Sequence, residues 1–158
     1  MLRVVRLNKE DWEEYKKIRL ECLQKESQAF NSKFEDCVEY EDEYWIDRLA
    51  VKKDVYIGAK EENELVGIVN LKLEDKEEEV GTAVVQGMYV KSRVRGKGLG
   101  KKMMRELIDI AQKNKIERLR LWVRESQVVA RSMYESEGFK FVEKAGEKTV
   151  IMEKVLSD

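Results

Sequence analysis

The sequence predicts a mixed α/β domain: a mostly antiparallel central sheet flanked by helices. Three observations carry this. Short apolar or alternating runs recur along the chain, separated by polar turns. The helical stretches are amphipathic, each with one apolar stripe. Hairpin-linked strands come first and a strand–helix–strand unit follows, the order expected of a mixed sheet. At 158 residues the chain reads as a single domain, 1–158, long enough to bury a sizeable core.

The elements follow in order. Leu2–Leu7 reads as the first strand. Asn8 with Asp11 has the spacing of a helix N-cap, and Trp12, Tyr15, Ile18, Cys22 and Leu23 mark a helical stripe to about Lys25. A second helix is expected from about Val38 to Val51. Val55–Lys60 and Leu65–Glu74 read as a hairpin about Glu61–Glu64, and the charged stretch from Glu74 to Glu79 turns into a strand over Val80–Val90. A helix is expected from about Gly98 to Asn114, then a strand over Arg118–Val123 and a helix over Val128–Ser136. Phe139–Glu143 and Thr149–Val155 close the chain as a hairpin about Gly146. Gly87 interrupts its strand, as a packing glycine or as a bulge that re-aims the strand.

Composition narrows the chemistry. Charged residues make up 40% of the chain and apolar ones 42%, with a net charge of -1. That balance suits a globular protein and argues against a bulk nucleic-acid binder. There are two cysteines, Cys22 and Cys37, in no CxxC pair, and no histidine. A His/Cys metal site is therefore not expected, and Ser-His or Cys-His nucleophile pairs are excluded. No apolar run reaches membrane-span length and no signal-peptide core is read at the N-terminus, so a cytoplasmic protein without membrane partners is expected.

The densest signal lies after Met88-Tyr89-Val90. The strand runs into Arg95-Gly96-Lys97-Gly98-Leu99-Gly100, and that turn opens a helix with Met103, Met104, Leu107, Ile108 and Ala111 on one stripe. Glycines let a backbone approach a ligand closely, and a helix N-terminus offers unpaired N–H groups with a positive dipole end. Arg95, Lys97, Lys101 and Lys102 add charge. Together these features describe a seat for a phosphate or pyrophosphate; the plainer reading is a strand-to-helix turn with solvated lysines. It is not a P-loop, because Gly98 and no hydroxyl follows Lys97. Nor is it a dinucleotide fingerprint, because the glycines alternate at 96, 98 and 100.

A second motif follows the Arg-Leu-Arg-Leu-Trp-Val strand: Ala130-Arg131-Ser132-Met133-Tyr134-Glu135-Ser136-Glu137-Gly138-Phe139. The Arg-x-x-Gly-x-Gly turn resembles the acetyl-CoA signature of the Gcn5-related N-acetyltransferases, the GNAT family. The second motif is similar to that family's Asn-x-x-Ala-x-x-Leu-Tyr-x-x-x-Gly-Phe. Ala130, Tyr134, Gly138 and Phe139 match; Gln127 stands for the usual Asn and Met133 for the usual Leu. Gln28-Ala29-Phe30 is similar to a Pro-x-Ala-Phe segment of the family, without its proline.

The resemblance implies transfer of an acetyl group from acetyl-CoA directly to a primary amine of a small molecule or peptide. It implies that Arg95, Gly96, Lys97, Gly98, Leu99, Gly100 and Lys101 seat the pyrophosphate. Met88 and Val90 would pair through their main chain with the pantetheine, between splayed fourth and fifth strands, and Gln127 would join the cofactor side. Tyr134 is placed as the acid that protonates the leaving thiolate; a phenol with a pKa of about 10 is protonated at neutral pH. No metal is implied. Many relatives carry a Glu base on the fourth strand, where this chain reads Ala83-Val84-Val85-Gln86-Gly87. Glu125 and a water chain are the alternatives for that role.

Two readings also stay open for the acidic stretch Glu35, Asp36, Glu39, Glu41, Asp42, Glu43: a rim that draws a cationic amine, or the wet face of a helix. Tyr40, Tyr44 and Trp45, interleaved with it, line a pocket or pack the helix. The alternative to an enzyme is a non-catalytic acyl-CoA-binding module of the same fold. A homodimer stays open.

Overall fold

The computed structural model describes residues 1–26, 33–73 and 81–156. A seven-stranded sheet runs through them in the order β1-β2-β3-β4-β5-β7-β6. The strands are β1 Leu2–Arg6, β2 Val55–Glu61, β3 Glu64–Leu73, β4 Thr82–Val90, β5 Arg118–Arg124, β6 Lys140–Lys144 and β7 Thr149–Val155. Every neighbouring pair is antiparallel except β4 with β5. The predicted mixed, mostly antiparallel sheet is therefore present. Gln28-Ala29-Phe30, the charged stretch Glu74–Glu79 and Val80 lie outside the described residues.

Alternation along the strands feeds two apolar layers, one on each face. On one side α4 (Leu99–Lys113) and α5 (Val128–Ser136) pack Met103, Met104, Leu107 and Tyr134 against Ile57, Leu119, Leu121 and Met152. On the other, α1 (Trp12–Lys25) and α3 (Asp42–Ala50) pack Tyr15, Ile18, Trp45 and Leu49 against Tyr56, Leu65, Ile68 and Tyr89. Cys22 and Cys37 are free and buried in this second layer.

The Asn8–Asp11 spacing produces a reciprocal cap. Glu10 N donates to Asn8 Oδ1 at 3.0 Å, and Asn8 N donates to Asp11 Oδ2 at 2.9 Å. The cap opens a 3-10 turn, Lys9–Asp11, from which α1 continues.

The helix expected over Val38–Val51 starts four residues late, and a second short helix, not expected, precedes it. A short α2, Phe34–Cys37, is followed by a turn, and α3 begins only at Asp42. The reason is charge. On one continuous helix Cys37, Glu41 and Trp45 would share a face, since residues four apart stack. Cys37 and Trp45 are buried, so Glu41 would be driven into the core. Breaking the helix lets Glu41 take an extended backbone, φ -70 and ψ 162, and stay exposed.

Candidate active site

The parallel pair β4–β5 holds only over Thr82↔Arg118, Ala83↔Leu119 and Val84↔Arg120. Beyond it β4 follows β3 to Gly67↔Val90, while β5 follows β7 to Arg124↔Thr149. The two strands diverge, and a cleft opens between Val85–Val90 and Leu121–Arg124.

Gly87 is a bulge. Ile68 pairs with Tyr89 and Asn70 with Gln86, so Val69 alone stands opposite Gly87 and Met88. Gly87 takes φ +67, a conformation that favours glycine. A Cβ there would lie 3.1 Å from Asn70 Oδ1 and 3.4 Å from Arg19 Nη1. Past the bulge, Lys91 N donates to Val66 O on β3 at 2.9 Å. Backbone groups alternate between the two edges of a strand, so those of Val90 face the cleft.

The turn after β4 delivers the chain to α4. Gly96 and Gly98 take φ +81 and +75, and a Cβ on either would meet nothing within 4 Å. Gly98 is the N-cap of α4, and among the described residues no side chain caps the helix. The helical ladder begins with Lys102 N to Gly98 O at 3.1 Å. The N–H groups of Leu99, Gly100 and Lys101 precede that first bond and, as at any helix start, have no partner within the helix. This is the geometry of an anion seat. Gly100 differs from the other two: it is helical, and a Cβ would sit at an ordinary 3.7 Å from the Met133 methyl.

The cations around the turn are mostly committed. Lys91 pairs with Glu64 at 2.8 Å, and Arg93 with Glu61 and Glu64 at 2.6 and 2.9 Å. Arg95 pairs with Glu26 at 3.1 Å, Arg105 with Glu137 at 3.1 Å and Lys101 with Glu137 at 4.0 Å. Lys97 and Lys102 enter no ion pair among the described residues.

Tyr134 lies on α5, buried, edge-on to Phe139 with ring centroids 6.0 Å apart. Burial alone pushes its phenol up to about 12, so the hydroxyl stays protonated across the neutral range. Gln127 is the N-cap of α5, and its Oε1 accepts from Arg124 N at 3.2 Å. Glu125 is paired with Lys144 Nζ at 2.8 Å, and that hydrogen bond lowers its pKa below the usual carboxylate value. Gln86 is exposed, and its Oε1 accepts from Asn70 Nδ2 at 3.3 Å.

Sequence reasoning missed Arg19 and Asn70, both buried beside the bulge. Asn70 carried a signal, as a lone amide within the apolar run of β3. Arg19, on a helix rich in charged residues, carried none. Trp45 turns out to be core, whereas Tyr40 and Tyr44 form an exposed pair with centroids 4.3 Å apart. The six acidic residues from Glu35 to Glu43 are all exposed, and Asp42 pairs with Lys16 at 3.4 Å. Among the described residues no cluster suited to a metal ion occurs, and no helix is long and apolar enough to cross a membrane.

This architecture recurs in known proteins. An acetyltransferase from Streptococcus pneumoniae has the same fold, with a TM-score of 0.85 at 19% identity, covering 99% of this chain and 100% of that one. A PaiA N-acetyltransferase from Thermoplasma acidophilum, in complex with coenzyme A, matches with a TM-score of 0.80 at 24% identity over 99% of each chain. In sequence, the spermine/spermidine N(1)-acetyltransferase of Bacillus subtilis (strain 168) is 32% identical over an alignment of 104 residues that covers 61% of this chain and 68% of that protein. The family model for the GNAT acetyltransferases matches residues 7–139, and the chain belongs to that family.

Proposed function

We propose that the protein is an N-acetyltransferase that uses acetyl-CoA and acetylates a primary amine by direct transfer. The observation that carries this is the cleft between β4 and β5, opening beside the uncapped start of α4. The turn Arg95–Lys101 would hold the pyrophosphate largely through its amides, with Lys97 as an uncommitted side-chain charge. Val90, at the cleft edge, and Met88, in the bulge, would hold the pantetheine arm through their main chain, with Gln127 on the same side. The thioester carbon would then lie in the cleft.

The chemistry follows from that placement. The acceptor amine must lose a proton, since a lysine-like amine has a pKa of about 10.4. Its nitrogen attacks the acyl carbon and the C–S bond breaks. Tyr134 Oη gives its proton to the departing thiolate; its buried, protonated phenol suits a donor. Glu125 is a poor base while Lys144 holds it ionised. A water chain at Gln86 and Asn70 is the better route for the proton of the amine.

The exposed acidic stretch and the polyamine named for the Bacillus subtilis relative both favour a cationic acceptor. One observation favours the other reading, a non-catalytic acyl-CoA-binding module: the cleft side chain of β4 is an amide, Gln86. Release of free CoA from acetyl-CoA across a panel of amines decides between them. Acceptor-stimulated release is expected; tight acetyl-CoA binding with no stimulated release by any amine would favour the module.

A further inference from the structure

We propose that Glu26 sets the affinity for acetyl-CoA without touching it, by holding Arg95 as a positioning residue for the Val90 carbonyl. This rests on the acetyl-CoA reading above. The Arg95 guanidinium has three attachments. Its Nε donates to Val90 O at 2.7 Å, and its Nη2 donates to Glu26 Oε1 at 3.1 Å. Its central carbon stands 5.6 Å from the centre of the Tyr89 ring. Tyr89 is fixed in turn, its hydroxyl donating to Glu21 Oε2 at 2.7 Å. Glu21 lies on α1 and Glu26 is its C-cap, whose own N–H is anchored on Cys22 O at 2.8 Å.

Arg95 is therefore a bracket between α1 and the end of β4. One edge of the fork meets a strand carbonyl, the other a carboxylate, and the plane lies over a ring. A planar guanidinium can do this and a compact ammonium cannot. The carbonyl it holds lies on the strand edge where a pantetheine amide would pair. A guanidinium committed in this way is not offered to a phosphate as well. Glu26 and Arg95 are both more than a third exposed, so their ion pair adds little to fold stability. Its effect falls on the geometry of the strand end.

The test is the sign of the change in acetyl-CoA affinity, by calorimetry, in Glu26→Gln and Arg95→Lys. Glu26→Gln should weaken binding roughly 2–5-fold, the range an exposed charge pair supports. The change should appear in KM for acetyl-CoA rather than in kcat, with the melting temperature of the free protein nearly unmoved. Arg95→Lys keeps the charge but loses the fork, and should weaken binding about tenfold. The double variant should be no worse than Arg95→Lys alone, because both changes break one unit. If Arg95 instead bound phosphate directly, Glu26→Gln would tighten binding by removing a competing carboxylate. Tighter or unchanged binding in Glu26→Gln, with wild type binding normally, overturns this inference alone. A wild type that does not bind acetyl-CoA overturns the functional reading and this inference together.

Discussion

Gly98 and Gly100 belong to one motif, yet the structure gives them different work, and substituting each by alanine separates the two. Gly98 takes φ +75 as the N-cap of α4. A side chain in that left-handed conformation costs about 1–2 kcal/mol. For a chain of this size that is a fall of about 2–8 °C in melting temperature. The backbone can escape the strain only by rotating, which swings the N–H groups of Leu99, Gly100 and Lys101 off their common target. Losing one charge-assisted hydrogen bond costs about 1.5–3 kcal/mol, or about 10–100-fold in Kd. At a ligand concentration near 100 times the wild-type Kd, acetyl-CoA bound as proposed would stabilise the folded state by about 2.7 kcal/mol. A tenfold weaker Kd removes about half of that. Gly100→Ala should do neither, because Gly100 is helical and its added methyl meets only the Met133 methyl at 3.7 Å. Alanine is the better helix former there, so stability holds or rises slightly. Thermal melts with and without acetyl-CoA, backed by calorimetry, read both effects. A folded Gly98→Ala variant with wild-type affinity would falsify the seat. Equal losses in the two variants would show that the left-handed cap does not aim the donors.

Other outcomes follow from the same geometry. Tyr134→Phe should keep the fold and the acetyl-CoA affinity and lower kcat by roughly 10²-fold; an unchanged kcat with chemistry limiting returns Tyr134 to the core. Because burial raises its phenol from 10.0 to about 12, its contribution to stability is complete below pH 10 and lost as pH rises towards 12. Denaturation curves of wild type should therefore fall more steeply than those of Tyr134→Phe across that window, and parallel slopes would contradict the assignment. Glu125→Gln should change kcat/KM by less than about threefold, since the carboxylate is already held by Lys144; a loss of roughly 10² would make Glu125 the base after all. Neutralising Glu41, Asp42 and Glu43 together should raise KM for spermidine and flatten its salt dependence while sparing KM for acetyl-CoA. An unmoved spermidine KM would leave the acidic stretch as surface only.

What could be read from the sequence was whatever is encoded within one turn of chain. The strands showed as alternation, and the turn at Gly96 and Gly98 showed because left-handed backbone demands glycine locally. The bulge at Gly87 was undecidable from the chain alone: a strand glycine has several causes, and only the partner strand reveals that Val69 faces two residues. The break between α2 and α3 was hidden because Cys37, Glu41 and Trp45 have helical spacing; the conflict emerges only once Cys37 and Trp45 are both known to be buried.

The same logic revises the electrostatics of the proposed phosphate seat. Between Lys91 and Arg105 the sequence shows a run of cations beside a glycine turn, which reads as a basic patch. Their carboxylate partners come from far along the chain: Glu26 is 69 residues from Arg95, and Glu137 is 32 from Arg105. No local pattern announces such pairs. Once they form, Lys91, Arg93, Arg95, Lys101 and Arg105 brace the turn, and among the described residues Lys97 and Lys102 are left with open charge. The positive character of the seat must then come mainly from the amides and dipole of α4, which titrate at no pH and are fixed before a ligand arrives. Affinity for acetyl-CoA should accordingly depend on the shape of the turn more than on its lysine count. That is why a single methyl at Gly98 is a harder test of the site than removal of any one of those cations.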